Sequence, residues 1–176
     1  DITGEPEDYT IVYGIFDKRD DKHQIRISKA FLTNSDANVA AADPETNYYG
    51  DNEIEVFLQE WKNGKMKKSV KLDTGFVNEK EAGTFCYPEQ RIYENKTDFQ
   101  VDDNSKVRLV LNNLKSGKVV SSEIDVIDGF SITFPLIFYG NNYSIDLVKN
   151  YSSPIKWNPD DGAKLYFVKY RFHYIE

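Results

Sequence analysis

Between Glu53 and Asp73 the chain reads EIEVFLQEWKNGKMKKSVKLD, two runs joined by Asn63-Gly64. Ile54, Val56 and Leu58 recur at every second position with mostly polar or charged residues between them, the pattern of a half-buried strand. Asn-Gly suits a two-residue hairpin turn, in which the backbone must enter positive φ. The returning run, Lys65 to Asp73, offers Met66, Val70 and Leu72 to the same interior. This hairpin predicts antiparallel β-structure.

Working outward from it, the same signal recurs. YTIVYGIF, Tyr9 to Phe16, reads as a strand, the charged knot Asp17 to His23 as a turn, and Gln24 to Phe31 as the partner strand. Thr84 to Tyr87 and Arg91 to Tyr93 read as short strands around Pro88. Asp102-Asp103-Asn104 turns the chain into KVRLVLNNL, where Val107, Leu109 and Leu111 alternate; Ser116-Gly117 then turns it into Lys118 to Ile127. About eight strands at hairpin spacing, with no helix long enough for a crossover, predict an all-β, immunoglobulin-like or transthyretin-like β-sandwich with one short helical turn, over residues 1–127. The expected core is Ile11, Tyr13, Ile15, Ile25, Ile27, Ile54, Val56, Leu58, Val107, Leu109, Leu111, Ile124 and Val126. Residues 128–176 either add strands to this domain or begin a second β unit. Within them, Lys164 to Glu176 alternates strictly and predicts a strand at which the chain stops, as a truncated or cleaved product would.

The segment Thr33 to Asn52 breaks the pattern. Ser35 can cap a helical turn over Asp36 to Ala42, Pro44 forbids its continuation, and Tyr48-Tyr49-Gly50-Asp51 leads back to extended structure. Twenty residues are too many for an idle connection, so a partner site is expected here. The competing expectation is that Phe31, Leu32 and the tyrosines cap the open end of the core. The binding residues expected from position and chemistry are Tyr48, Tyr49, Asp51, Trp61 and Trp157, because flat rings near strand ends can stack on sugars or on partner side chains.

Composition narrows the function classes. The 176 residues are 40% hydrophobic and 29% charged, with 11 Phe, 12 Tyr and 2 Trp, a balance that excludes disorder and favours pleated surfaces. A net charge of −7 repels a phosphate backbone, so no nucleic acid is expected as partner. No run approaches a membrane span. Asp1 in place of Met, followed by an acidic, turn-rich opening, suggests that a leader was removed. The single cysteine, Cys86, has no partner for an internal disulfide and reads as a small buried hydrophobe.

Catalytic signatures are missing from the sequence: it contains no GxGxxG, GxxxxGKS, GxSxG or HExxH. Two histidines, His23 and His173, and one cysteine form no metal-ligand spacing, so no metal and no cofactor are expected. Three acidic clusters, Asp17/Asp20/Asp21, Asp102/Asp103/Asn104 and Asn158 to Gly162, fit turn chemistry better than calcium loops. Asn95-Lys96-Thr97, Asn142-Tyr143-Ser144 and Asn150-Tyr151-Ser152 match the N-glycosylation acceptor pattern.

Three stretches, YTIVYGIFDKRDDKHQIRISKAFL (9–32), YYGDNEIEVFLQEW (48–61) and IKWNPDDGAKLYFVKYRFHYIE (155–176), together resemble the amino-terminal part of the domain-of-unknown-function lipoproteins common in Bacteroidetes. The resemblance covers most of the chain in order and rests on strand spacing. It implies an exported protein held at the outer envelope or cell surface through a lipidated cysteine, and it brings no catalytic residues. That cysteine is absent here, Cys86 being internal, so a membrane link would run only through an anchor outside this sequence. The function expected is therefore a non-catalytic cell-envelope binding or assembly module whose partner is an envelope protein or a glycan. The alternatives are a carboxylate-dependent glycan hydrolase, which the 29 acidic residues would allow, and a structural surface spacer.

Overall fold

The computed structural model describes residues 9–31, 33, 36–127, 129–134, 154–160, 162–169 and 171. The chain divides into two compact units, Asp1–Ile124 and Asp125–Glu176. The first is all-β apart from two short helices. Its strands are β1 (Thr10–Gly14), β2 (Gln24–Lys29), β3 (Ile54–Lys62), β4 (Lys65–Val77), β5 (Gln90–Glu94), β6 (Lys106–Asn113) and β7 (Val119–Asp125), with α1 (Ala37–Ala42) and α2 (Pro44–Asn47) between β2 and β3. They form one seven-stranded sheet in the order β1-β2-β5-β4-β3-β6-β7.

The predicted hairpin stands at its centre. Asn63 (φ 51°) and Gly64 (φ 73°) both take the left-handed backbone that the turn requires, and β3 is flanked by β4 and β6. β4 is thirteen residues long and changes partner midway: Lys65 to Leu72 pair with β3, and Asp73 to Val77 pair with β5. A strand shared in this way turns a corner between two half-sheets, β1-β2-β5 on one side and β3-β6-β7 on the other. Their inner faces supply Ile25, Ile27, Tyr93, Ile54, Val56, Leu58, Leu72, Val107 and Leu111, all buried.

Glu60 and Asn95 are among the polar residues built into this interior. Glu60 continues the inward parity of Ile54, Val56 and Leu58 and is only 1% exposed. Its Oε1 accepts from the Asp102 amide at 2.9 Å and from the Ser105 hydroxyl at 2.8 Å, and Lys68 lies 3.7 Å from Oε2. Asn95 accepts from the His23 amide at 2.7 Å and donates to the Asp21 and Thr97 carbonyls. An asparagine buried to that degree is no glycan acceptor in the folded chain; Asn142 and Asn150 lie outside the described residues.

The expected core needs correction at both edge strands. Val12 pairs with Ile27 and Gly14 with Ile25, which places the even-numbered residues of β1 inward, since directly opposed residues share a face. Ile11, Tyr13 and Ile15, expected in the core, are 54%, 68% and 78% exposed. Alternation alone cannot fix the phase of a strand that is apolar at both parities. Ile124 is likewise exposed on β7, Leu109 is half-buried, and Met66 points to solvent; Val126, which is buried, belongs to the second unit. Thr84 to Tyr87 is irregular rather than a strand, and only Gln90–Glu94 pairs.

The acidic clusters do turn and pairing work. Asp17 accepts from the Arg19 amide at 3.0 Å, Asp103 meets Lys18 at 2.6 Å, and Asp160 accepts from the Gly162 amide at 2.8 Å. In the second unit β8 (Ser131–Phe134) pairs with β9 (Lys156–Asn158), Ile132 opposite Trp157. The strand expected from Lys164 onward is not formed over Lys164 to Lys169; Phe172 to Glu176 lie outside the described residues.

The phase of β1 sets a contrast measurable by urea unfolding: Ile27→Ala is expected to cost about 2–5 kcal/mol, whereas Ile11→Ala, one strand away, stays within about 0.5 kcal/mol. Equal costs would restore the odd-numbered face to the core. A second expectation concerns His23, buried between Phe16, stacked at 4.4 Å, and Phe99. Burial disfavours its charged form and holds its pKa below the ordinary 6.5. Between that depressed value and 6.5 the unfolded chain binds the extra proton, so stability falls as pH drops through this window. His23→Phe is expected to flatten the slope of unfolding free energy between pH 7 and pH 5.5.

Candidate functional site

The excursion between β2 and β3 is built by a relay of caps. Asp36, rather than Ser35, caps α1 by accepting from the Asn38 amide at 2.8 Å; Ser35 lies outside the described residues. Asp43 ends α1 and caps α2, accepting from the Glu45 amide at 3.0 Å and the Thr46 hydroxyl at 3.2 Å. Pro44 does end the first helical turn, as expected, but at the first position of α2 its fixed φ also starts a second. Buried Asn47 clamps the two helices by donating to the Ala41 and Asp43 carbonyls at 2.8 and 2.7 Å.

The segment then enters the sandwich. Tyr49 is 1% exposed, and its hydroxyl shares a 2.7 Å hydrogen bond with Thr10 of β1. Its carbonyl accepts from the Arg91 guanidinium, whose other arm meets Asp51 at 2.8 Å. Tyr48 is buried beside Cys86, and burial followed by the neighbouring Cys86 thiol pushes its hydroxyl up to about 12. The Tyr48 hydroxyl makes no hydrogen bond of good geometry among the described residues. Cys86 is buried, as expected, and its amide donates to the Ala41 carbonyl at 3.0 Å. Both tyrosines therefore plug the end of the core, and neither ring is presented to solvent.

Above this plug lies a cleft of about 620 Å³. Asp51, Glu53, Phe76, Tyr87, Arg91 and Lys115 are among the residues that line it. Phe76 and Tyr87 are each 53% exposed and give it two accessible rings, with the Arg91 guanidinium 5.5 Å from the Phe76 ring centre. Lys29 is turned towards the protein, donating to the Glu45 carbonyl at 2.9 Å and lying 5.7 Å from the Tyr49 ring. Burial works against the charge of Glu53, but the Gly50 amide at 2.8 Å and Lys115 at 3.4 Å outweigh it and hold the carboxyl below the usual carboxylate range.

Of the five residues expected to bind, three meet here: Tyr48 and Tyr49 form the floor and Asp51 the rim. Trp61 is at the far end of β3, eight residues beyond Glu53 and thus about 26 Å along the strand. Its ring faces away from the core beneath the Arg108 guanidinium at 4.1 Å. Trp157 belongs to the second unit, where its ring packs 5.6 Å from Tyr166. Phe76, Tyr87, Arg91 and Lys115 were not anticipated, because they come from β4, the loop after it, β5 and the turn between β6 and β7, and only tertiary folding gathers them. Tyr87 and Arg91 left a trace only as ends of the two short strands read around Pro88. Among the described residues no three His, Cys, Asp or Glu side chains gather as a metal set would.

No protein-family model, curated protein or solved structure matches the chain.

The plug is expected to dominate the energetics of Tyr49. Tyr49→Phe, which loses the hydroxyl bonded to Thr10, should cost about 1 kcal/mol, and Tyr49→Ala about 3–5 kcal/mol in urea unfolding. A Tyr49→Ala variant that unfolds like the parent chain would return this ring to solvent and to direct recognition.

Proposed function

We propose that this chain is a non-catalytic binding module of the cell envelope whose cleft above Tyr48 and Tyr49 accepts a glycan. The observation that carries the reading is the pairing of two exposed rings, Phe76 and Tyr87, with a ring of fixed hydrogen-bonding groups in a cleft of about 620 Å³, within the range of ligand sites. Rings of this kind stack on the apolar face of a sugar, while Asp51, Arg91 and Lys115 meet its hydroxyls. Arg91 and Glu53, whose side chains are each 14% exposed, are held in place by further partners besides Asp51 at 2.8 Å and Lys115 at 3.4 Å, so these two groups need little ordering on binding. Placement at the envelope, through a lipid anchor supplied elsewhere, rests on the resemblance to the Bacteroidetes lipoproteins.

Binding is favoured over glycan hydrolysis by the carboxyl groups. A hydrolase of that kind needs one carboxylic acid kept protonated near neutrality. Among the described residues, the carboxyl groups whose ionisation departs clearly from the ordinary range are Asp17, held down by Arg19, Glu53 as above, and Glu123, held down by Lys106 and Arg108. All three shift in the opposite direction.

A glycan array followed by titration of the best oligosaccharide tests this reading. Phe76→Ala and Tyr87→Ala are each expected to weaken binding at least tenfold with an unchanged melting temperature, both rings being exposed. An array without any binder, or variants that both bind as tightly as the parent chain, sinks the proposal. Release of reducing ends from a bound oligosaccharide would replace it with the hydrolase.

A further inference from the structure

A second cleft, independent of the glycan reading, opens on the side of the sandwich away from the β4 corner. The two edges of the sheet flank it: Val12 and Ile15 stand on the β1 side, Ser122 and Ile124 on the β7 side, and Leu58 and Leu109 lie among the residues beneath. Its volume is about 240 Å³. Among the described residues no Asp, Glu, Lys or Arg lines it, in a chain where such residues make up 29% of the sequence. The one titratable group among the described residues of its lining is His23, whose burial favours the neutral imidazole. A charged ligand would lose its hydration here and find no counter-charge.

We propose that this cleft binds an uncharged, largely apolar small molecule of one or two rings, with a single hydroxyl placed at Ser122. Size supports that class: an apolar cavity of roughly 150 Å³ holds benzene, so about 240 Å³ accommodates a fused bicycle. A hydroxyl both donates and accepts, and so matches Ser122, exposed at the mouth, in either sense. An inserted partner strand is the weaker fit, because it would need a groove along the whole of β1, and the lining on that strand begins only at Val12.

The test uses the 176-residue chain and two probes, 1-naphthol and 1-naphthoate, read by calorimetry and by methyl NMR shifts. Saturable one-to-one binding of 1-naphthol is expected, with Kd of about 100 µM or tighter for so few atoms. Shifts should centre on Leu58, Leu109 and Ile124, with 1-naphthoate at least tenfold weaker. Ser122→Trp and Val12→Trp fill the mouth from exposed positions and should each raise Kd at least tenfold. Ser121→Trp, on the opposite face of β7, should leave it unchanged. If one filling variant melts early the other carries the comparison, and the shifts in the parent chain decide on their own. The proposal is overturned by no saturation at about 1 mM probe, by equal affinity for naphthoate, or by filling variants that bind as the parent does. Shifts gathered instead on Ile132 and Val168, which line an apolar pocket of the second unit, overturn it, as do edge shifts along β1 that grow with protein concentration alone, the mark of a second copy paired there.

Discussion

One strand has to serve two partners. β4 is longer than β3 and the pairing passes from β3 to β5 between Leu72 and Asp73, so the sheet turns at that point and brings one half over the other. Everything else in the first unit follows from this corner. It lets a single sheet bury both an Ile25-Ile27 face and a Val56-Leu58 face against each other. It also leaves the opposite side, between β1 and β7, without a shared strand. An antiparallel sheet with one shared corner has one closed side and one open side, and the open side is where Ile15 and Ile124 remain exposed, while Ile11 and Tyr13 are exposed on the outer face of β1.

The ends of such a sandwich need sealing as well, and the two ends are sealed by different chemistry. At one, Glu60 ties the central strand to the turn before β6 through the Asp102 amide and the Ser105 hydroxyl. A carboxylate this deeply buried is tolerated because backbone and hydroxyl donors satisfy Oε1 while Lys68 faces Oε2. At the other, the long segment between β2 and β3 lowers Tyr49 into the core, and Arg91 holds it there by its carbonyl. The cap and the cleft above it are thus one construction. The residues that stabilise the plug also orient the cleft's charges, and this links the fold's energetics to its surface chemistry.

The sequence by itself determined the all-β class, the central hairpin and its turn, the inward face of β3, the break at Thr33 to Asn52 and the helical turn within it. These depend on neighbours in the chain: period-two alternation, positive φ at Asn63 and Gly64, and a short polar side chain before an alanine-rich run, although the cap is Asp36 and not the expected Ser35. Only the tertiary structure decided the phase of β1, because both of its faces are apolar and the choice rests on which residue lies opposite Ile27. The expected binding set was legible in part for the same reason. Tyr48, Tyr49 and Asp51 are consecutive or nearly so and stay together in any fold. Trp61 and Trp157 share with them only their aromatic chemistry, which carries no information about distance. Phe76, Tyr87, Arg91 and Lys115 became neighbours of Asp51 through strand pairing and loop placement, long-range contacts that no local pattern in the sequence encodes.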